Sequence, residues 1–310
     1  MRILPAILVM LALLWGGYWF FGASRAERLA EDWFATAPAR GLDAQNGGIA
    51  VQGFPNRFDL TIDTPDIMDR ATGIGWRAPF LQVFALSYRP HHVIVTWPDR
   101  QDLTLGAETY AITSDRMQAS AVFEPLNQRL NRATWVAEGL RAESDMRLIE
   151  VGSAQLSTRI MAAEANTHEV SLQARGLRLA PLPPALSGDE GTLVFDGLVQ
   201  MAGPRPGEIS VRNLSLRWGE VEVRGQGAIT VGQTGLLSGR LELRTDNWRE
   251  MLALAVEAGL IDPEVAPTWE NAMGMLARMS GEPQTLQAPL SFNNGMMSLG
   301  PLPLGPAPRF

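Results

Sequence analysis

Residues 57–63, RFDLTID, alternate polar and apolar side chains at every position. This alternation puts Phe58, Leu60 and Ile62 on one side of an extended chain, as a β-strand with one buried face requires. The same pattern returns in three later segments, at 93–97, 221–223 and 237–244. No helical run of about 10–15 residues separates these segments, so parallel βαβ units and nucleotide-binding α/β folds are not expected. The sequence predicts a mainly β chain built on an antiparallel sheet.

Three short motifs recur at intervals of 37 residues: Gly139-Leu140, Gly176-Leu177 and Asn213-Leu214. In each, apolar side chains stand four and two positions before the small residue and one and three positions after it. The alternation therefore changes phase there, as it would where one extra residue forms a β-bulge. The pattern predicts bulges at Gly176 and Asn213 that keep the flanking apolar side chains on one face. Coincidence in a chain rich in leucine and glycine is the alternative.

Two amphipathic helices are predicted near the carboxyl end, within about residues 247–280. The first starts at a capping box and stops at Gly259, and the second starts at Asp262-Pro263 and stops at Gly281. Helices joined by so short a loop form a hairpin, which we expect to cap one end of the sheet. Strands return before a proline-rich tail over 301–310.

The amino terminus carries an apolar run, Ile3 to Phe21, without a charged residue. As a helix it would be about 28 Å long, close to the thickness of a bilayer core. Basic residues on both flanks, with a thin excess before the run, point the amino terminus to the cytoplasm. The predicted organisation is a transmembrane signal anchor over 1–23, a helical linker over 24–40 and a β-rich periplasmic body over 41–300. The anchor residues are Ile3, Leu4, Ile7, Leu8, Leu11, Leu14, Trp15, Tyr18, Trp19, Phe20 and Phe21, of which the last five aromatic residues are expected to form an interfacial belt.

The apolar run has two other interpretations. Gly22-Ala23-Ser24 offers a small-residue site at which a signal peptide could be cleaved. A buried helix of a soluble protein is the second alternative. The length of the run and its bulky aromatic end favour an uncleaved anchor.

Composition excludes several classes of chemistry. The 310 residues carry a formal net charge of −7 and include no cysteine, and the sequence contains no lysine. Disulfides, thiolate nucleophiles, cysteine-bound metal sites, Schiff bases and P-loops are therefore excluded. An acidic chain is not expected to take nucleic acid as its main partner.

A family resemblance rests on three segments taken together. They are GFPNRFDLTIDTP (53–65), WRAPFLQVFALSYRPHHVIVTWPDRQDL (76–103) and NGMMSLGPLPLGPAPRF (294–310). In order and wording these segments resemble the bacterial family catalogued as domain of unknown function 2125. The resemblance implies a membrane-anchored envelope protein with no assigned activity and no known catalytic residues.

A looser similarity runs to the AsmA-like proteins, in the glycine-punctuated strands between Asn213 and Trp248. That resemblance implies an inner-membrane anchor and a periplasmic body of curved β-sheet whose concave apolar face carries lipid.

The candidate site is the family motif, interpreted as either a core or a groove for a lipid or partner. Its residues are Gly53, Phe54, Pro55, Phe58, Trp76, Pro79, Phe80, Phe84, Tyr88, Pro90, His91, Trp97 and Pro98. His91 and His92 are adjacent and so point to opposite faces of a strand, which disfavours a shared metal ion. Asp59 and Asp63 share a face, and we interpret them as solvated. No nucleophile motif occurs, so we expect no enzyme, no metal and no cofactor.

The sequence thus predicts an anchored, elongated, groove-like antiparallel sheet of AsmA-like type. The leading hypothesis for its function is lipid handling or envelope homeostasis through an apolar sheet face, with the inner membrane and phospholipid as partners. The alternative is a structural or interaction module that organises envelope proteins through its sheet edges.

Overall fold

The computed structural model describes residues 3–161, 164, 166–181, 188–203, 205–257, 261–279 and 282–309. The chain divides into two compact units, Met1–Asp145 and Met146–Phe310. Both units are built mainly from antiparallel strands, and one long apolar helix begins the first. The predicted mainly β class and the amino-terminal helix are confirmed.

The helix α1 runs without interruption from Ile3 to Thr36. At 1.5 Å per residue its length is about 51 Å. A 3₁₀ turn over Ala37–Arg40 follows and ends at Gly41, whose φ of 82° is left-handed. In the described part of the chain, α1 is the one helix long and apolar enough to cross a membrane. The segment predicted as a linker is therefore a continuation of the same helix.

The first unit is an up-and-down meander. Its described strands are β1 (Leu42–Gln45), β2 (Gly48–Gln52), β3 (Arg57–Asp63), β4 (Asp66–Asp69), β5 (Ile74–Arg77), β6 (Phe80–Leu86), β7 (Arg89–Thr96), β8 (Arg100–Leu105), β9 (Glu108–Thr113), β10 (Arg116–Phe123) and β11 (Leu130–Glu143). One run of neighbours is β2-β3-β6-β7-β10-β11, and the other is β1-β4-β5-β8-β9-β11. Each run follows chain order, so every long strand except the last, β11, is split once and contributes one piece to each run.

The split between the two runs forms a continuous bend across the unit. Pro65, Pro79 and Pro98 stand at three of the breaks. Proline has no backbone N–H to donate, so it interrupts a ladder where it occurs. Hydrogen bonds across the bend hold the pieces together, for example from Thr64 N to Pro79 O at 2.9 Å and from Ala78 N to Pro65 O at 3.1 Å. The last strand, β11, is not split but leaves β10 for β9 near Gly139, whose φ is 58°.

The second unit continues the meander pattern. Its elements are β12 (Leu148–Ile160), β13 (Thr167–Ala180), β14 (Gly191–Ala202), β15 (Arg205–Trp218), β16 (Val221–Val231), β17 (Leu237–Thr245), α2 (Trp248–Glu257), α3 (Ala266–Met279), β18 (Leu286–Asn293), β19 (Met296–Leu299) and β20 (Leu302–Pro306). Each strand pairs antiparallel with the next one along the chain. The segment predicted as a tail therefore contributes a strand, because β20 pairs with β19.

The predicted bulge at Gly176 occurs, and the predicted bulge at Asn213 occurs on the β16 side only, because Asn213 pairs with Asp196 of β14 and the extra residue on that side is Arg212. Between β13 and β14 the register shifts at Gly176, which lies between paired Arg175 and Leu177 and has a φ of 65°. Between β15 and β16 the register shifts over 212–213. Opposite these positions, β14 alternates regularly from Gly191 to Val199, so its partners on either side of each bulge share one face. The phase change in the sequence is therefore compensated by the extra residue, as predicted.

The helices α2 and α3 pack on one end of the sheet. Trp248 is fully buried there with Leu252 of α2 and Met273 of α3, against Leu286 and other residues of β18 and β19. Both helices lie within the predicted range. The hairpin itself is not confirmed, because residues 258–260 between the helices, with the predicted stop Gly259, lie outside the described residues, as does Gly281.

Candidate membrane-proximal site

Three aromatic side chains of α1 donate hydrogen bonds to the backbone of the first unit. Trp15 Nε1 donates to the carbonyl of Pro55 at 3.1 Å, and Trp19 Nε1 donates to that of Arg57 at 2.7 Å. The Tyr18 hydroxyl donates to the carbonyl of Ser87 at 2.7 Å. The residues predicted to anchor the chain and the start of the family motif therefore meet in one site.

Aromatic rings of α1 also pack against aromatic rings of the first unit at this site. Trp19 stacks on Phe58 with ring centroids 5.9 Å apart and meets Phe54 edge to face at 5.4 Å. Phe20 stacks on Phe54 at 5.8 Å. Trp19 is 5% exposed, and Ala23 is buried beside it. Trp19 therefore belongs to the core of the unit, a role that the prediction of an interfacial belt did not include.

The local sequence shapes the turn that receives the helix. Gly53 has a φ of 99°, in the left-handed region that favours glycine, and its carbonyl accepts a hydrogen bond from Arg57 N at 2.9 Å. The turn presents the carbonyl of Pro55 to two donors, because Ser87 Oγ also donates to it at 3.1 Å. Ser87 is completely buried, and its N–H donates to the carbonyl of Asn56 at 2.9 Å. Ser87 thus joins the turn over 87–88 to the turn over 53–56.

A third turn, over 124–129, ends the same edge of the sheet. The register shows this, because Arg57 lies opposite Leu86 at the end of β6, and Val122, just before the third turn, lies opposite His92 near the start of β7. The turn closes through a hydrogen bond from Glu124 N to the carbonyl of Arg129 at 2.8 Å. A cavity of about 370 Å³ lies between the second and third turns, lined by Pro90, His91, Phe123, Glu124, Pro125 and Gln128.

Each of the three turns carries one exposed large side chain. Phe54 is 56% exposed, Tyr88 is 60% exposed and Leu126 is completely exposed. We name these three turns the apolar edge. Sequence analysis singled out Phe54 and Tyr88 but missed Leu126, which has no periodic pattern around it.

The remaining motif residues do not converge on this site. Phe58 lies opposite Ala85, so Phe58 and Phe84 project from opposite faces of the sheet. Trp76 Nε1 donates to Gln101 Oε1 at 2.6 Å, near the bend. Pro79 lines a polar cavity of about 530 Å³ at the bend, where Arg77 and Asp66 form a 2.6 Å ion pair. The other motif residues take places along the sheet and its bend: Phe80 on β6, Pro90 and His91 on β7, and Trp97 and Pro98 between β7 and β8.

The two adjacent histidines point in different directions, as expected. His91 lines the cavity beside the third turn, whereas His92 Nε2 is 2.9 Å from Ser120 Oγ on β10. Within the described residues, no group of three or more histidine, aspartate or glutamate side chains is arranged to hold a metal ion.

The small residues after the apolar run have a structural use that sequence analysis did not find. A Cβ on Gly22 would lie 2.7 Å from Cζ of Phe58, closer than side chains approach. Gly22 and Ala23, considered above as part of a cleavage site, let the helix lie directly against the sheet. The signal was a pair of small residues one helical turn after Trp19.

Comparison with known proteins identifies a family to which the chain is similar. The model of a family described as an uncharacterized protein conserved in bacteria (DUF2125) matches residues 19–308. No curated protein and no solved structure matches the chain. The first resemblance is thereby confirmed, whereas the similarity to AsmA-like proteins is not.

Proposed function

This chain belongs to the DUF2125 family of uncharacterized bacterial proteins, and we propose that it is a membrane-anchored envelope protein that shields lipid acyl chains on one face of the sheet in its second unit. In this proposal α1 spans the inner membrane, and the units after it lie in the periplasm. The slight excess of positive charge before the apolar run supports that orientation. The proposed role is binding and handling of lipid, without catalysis.

The observation that carries the proposal is an apolar sheet face that its own unit leaves partly open. Cross-strand rows run through Leu172, Phe195 and Leu214, and through Ala174, Leu193 and Leu216. Along the first strands of the unit, Leu156, Leu179 and Leu216 are each 41% exposed. Exposed contiguous apolar surface of this kind is typical of a binding surface for apolar ligands or partners.

The opposite face of the same sheet is charged. Glu169 accepts hydrogen bonds from Arg159 at 2.8 Å and from Arg212 at 2.6 Å. The Arg212 and Arg159 guanidiniums hold the pKa of the Glu169 carboxyl below its usual value. A hydrogen bond from Arg224 likewise lowers the pKa of Glu222. Both carboxylates are therefore ionised at neutral pH, which leaves one face for water and the other for apolar groups.

The apolar face is closed at one end and open at the other. The helices α2 and α3 cover the rows near Leu243, Leu286 and Ala288. A second cluster around Leu241 and Phe292 fills the middle of the face. The exposed leucines lie on β12, β13 and β15, away from this covered end. Acyl chains would remove those side chains from water at no cost in hydrogen bonds.

The test is photo-crosslinking of the full-length chain in native membranes. A phospholipid with a diazirine in its acyl chain is incorporated, activated by light, and its adducts are mapped by peptide mass spectrometry. We expect adducts on α1 and, as the decisive result, on the peptides that contain the exposed leucines Leu156, Leu179 and Leu216. Adducts confined to α1 would overturn lipid binding and favour the alternative, a module that docks partner proteins.

The chain offers a matched pair of variants for this experiment. Leu156→Glu places a charge on the open apolar face, and Gln155→Glu places the same charge on the opposite, exposed face one residue away. We expect Leu156→Glu to reduce the adducts on β12 and β13 at least severalfold, because a carboxylate is poorly solvated beside acyl chains. Gln155→Glu should leave them unchanged.

A further inference from the structure

We propose that the apolar edge of the first unit, Phe54, Tyr88 and Leu126 on their three turns, is inserted into the outer half of the bilayer beside α1. The partner of this surface is the lipid bilayer itself. The inference rests on the proposed membrane span and adds a second contact of the protein with the membrane. It concerns the first unit and is independent of lipid binding on the second.

The part of α1 that precedes its contacts with the turns is too short to span a bilayer. The docked part of α1 begins at Trp15, which is bonded to the turn at Pro55. Between Ile3 and Leu14, α1 has 12 residues, a length of about 18 Å. A bilayer core is about 30 Å thick, so these residues alone do not cross it. The spanning run must include Trp15 to Phe21, and these are the residues that hold the turns.

The segment Trp15 to Phe21 belongs both to the proposed span and to the contact with the turns, so it sets the depth of the turns in the bilayer. Trp15, Tyr18 and Trp19 are bonded to Pro55, Ser87 and Arg57, so the turns lie at the level of these aromatic residues. If Ile3 lies at the inner boundary of the core, Trp15 lies about 18 Å from that boundary and still within the hydrocarbon. A helix that is tilted brings the turns deeper.

The chemistry of the apolar edge fits that depth. Phe54 stacks on Phe20, which is itself exposed, so the two rings form a continuous apolar surface from the helix to the turn. Tyr88 carries a hydroxyl on an apolar ring, a combination favoured at the interface. Arg89, the next residue, is exposed and can extend its guanidinium to lipid phosphates. Leu126 is completely exposed.

Exposed apolar side chains alone do not identify this edge as the one that enters the membrane. Ile74 and Leu105, at the opposite ends of these strands, are also exposed and lie opposite each other in the ladder. The helix distinguishes the two ends. From Trp19 to Thr36 α1 rises by about 25 Å along the unit. At the end of that rise the first strand begins, where Arg70 and Asp43 form a 2.6 Å ion pair suited to water.

The experiment uses the absence of cysteine from the chain. Single-cysteine variants Tyr88→Cys and Leu126→Cys are labelled with an environment-sensitive fluorophore and the full-length protein is reconstituted in phosphatidylethanolamine and phosphatidylglycerol vesicles. Quenching by lipids that carry a nitroxide on the acyl chain reports depth. Ala107→Cys, in the exposed turn between β8 and β9 at the opposite end, is the matched control. Leu8→Cys tests the span itself.

The expected result is strong quenching at Leu8, Tyr88 and Leu126, at least threefold above that at Ala107. Quenching at Leu8 with Tyr88 and Leu126 equal to Ala107 would overturn the insertion while leaving the anchor intact. Equal quenching at all four positions would also overturn it, because the unit would then not be oriented by α1. No quenching at Leu8 would refute the proposed anchor, and the insertion with it. Leu126 contacts no neighbour that its replacement would disturb, so this variant is expected to fold.

Discussion

Gly22 of the amino-terminal helix lies so close to Phe58 of β3 that a Cβ on the glycine would be 2.7 Å from Cζ of the ring. Phe58 is buried and is also stacked on Trp19, so the ring has little freedom to move aside. The helix and the sheet are therefore packed as one core at this point. A flexible linker between anchor and body, of the kind that would let the body move freely, is not what joins them.

Replacement of Gly22 tests this packing. We expect Gly22→Ala to lower the free energy of unfolding of the first unit by about 1–3 kcal/mol, since the added methyl group overpacks a filled site. Thermal unfolding in detergent micelles, followed by the β-sheet circular dichroism signal, measures the effect. The control is Gly17→Ala on the same helix, where a Cβ would meet nothing within 4 Å. Equal stability of the two variants would contradict the packing.

The hydrogen bond from Trp19 to the carbonyl of Arg57 is expected to contribute to stability independently of the packing at Gly22. Trp19→Phe retains an aromatic ring but leaves the Arg57 carbonyl without its donor, which is expected to cost about 1–3 kcal/mol. The melting temperature of Trp19→Phe should therefore fall below that of Trp33→Phe, because Trp33 packs against Phe34 on the same helix and is not part of this contact. A larger loss for Trp33→Phe would show that the site near Phe58 is not what fixes the helix.

The stability of variants at Gly176 should depend on how readily the new residue adopts a left-handed backbone conformation. The φ of 65° at this position costs a β-branched residue about 1–2 kcal/mol, and a Cβ would also lie 3.3 Å from Gly152 N. We expect Gly176→Val to destabilise the second unit and Gly176→Asn to do so less, because asparagine adopts left-handed conformations more readily. Urea titrations of the two variants make the comparison, with Gly188→Val as the reference, because a Cβ there would meet no atom of the described residues within 4 Å. Identical midpoints for valine and asparagine would refute the conformational explanation.

The ion pairs of Glu169 predict a dependence on pH. Because hydrogen bonds from Arg212 and Arg159 lower the pKa of Glu169 below 4.5, its contribution to stability is present above that pH. It is lost as the pH falls through the lowered pKa of the folded state. Glu169→Gln should therefore melt below the unmodified protein at neutral pH, and the difference should vanish in acid. Glu208→Gln, an exposed position in no ion pair among the described residues, should show no such convergence. A difference for Glu169→Gln that persists unchanged at low pH would contradict the assignment.

The sequence predicted the elements better than their contacts. Alternation over 57–63 and the phase change at Gly176 are local properties of the chain, and both are found in the structure. The breaks at Pro65 and Pro79 were not predicted, because a proline after a strand is equally compatible with its end and with a bend. What decides between them is the pairing of β4 and β5 beyond the break, and that pairing is not encoded in the neighbouring residues.

The candidate site was predicted in part. The aromatic residues of the anchor and those of the motif were recognised separately, but nothing in the sequence showed that Trp19 meets Phe58 across 39 positions. Ser87 was not singled out, since a serine reveals its role through the carbonyls it reaches, here that of Pro55. Leu126 lies in a turn without periodicity and became visible only through its complete exposure.

Because α1 is unbroken from Ile3 to Thr36, a helix that spans the membrane as proposed would transmit rotation about its axis to the sheet of the first unit. Each helical residue turns the chain by about 100°. The face of α1 that contacts a neighbour in the membrane would therefore fix the rotational orientation of the first unit about the membrane normal. A second membrane protein that binds α1 at Leu8 or Leu11 would thereby set the orientation of the entire first unit.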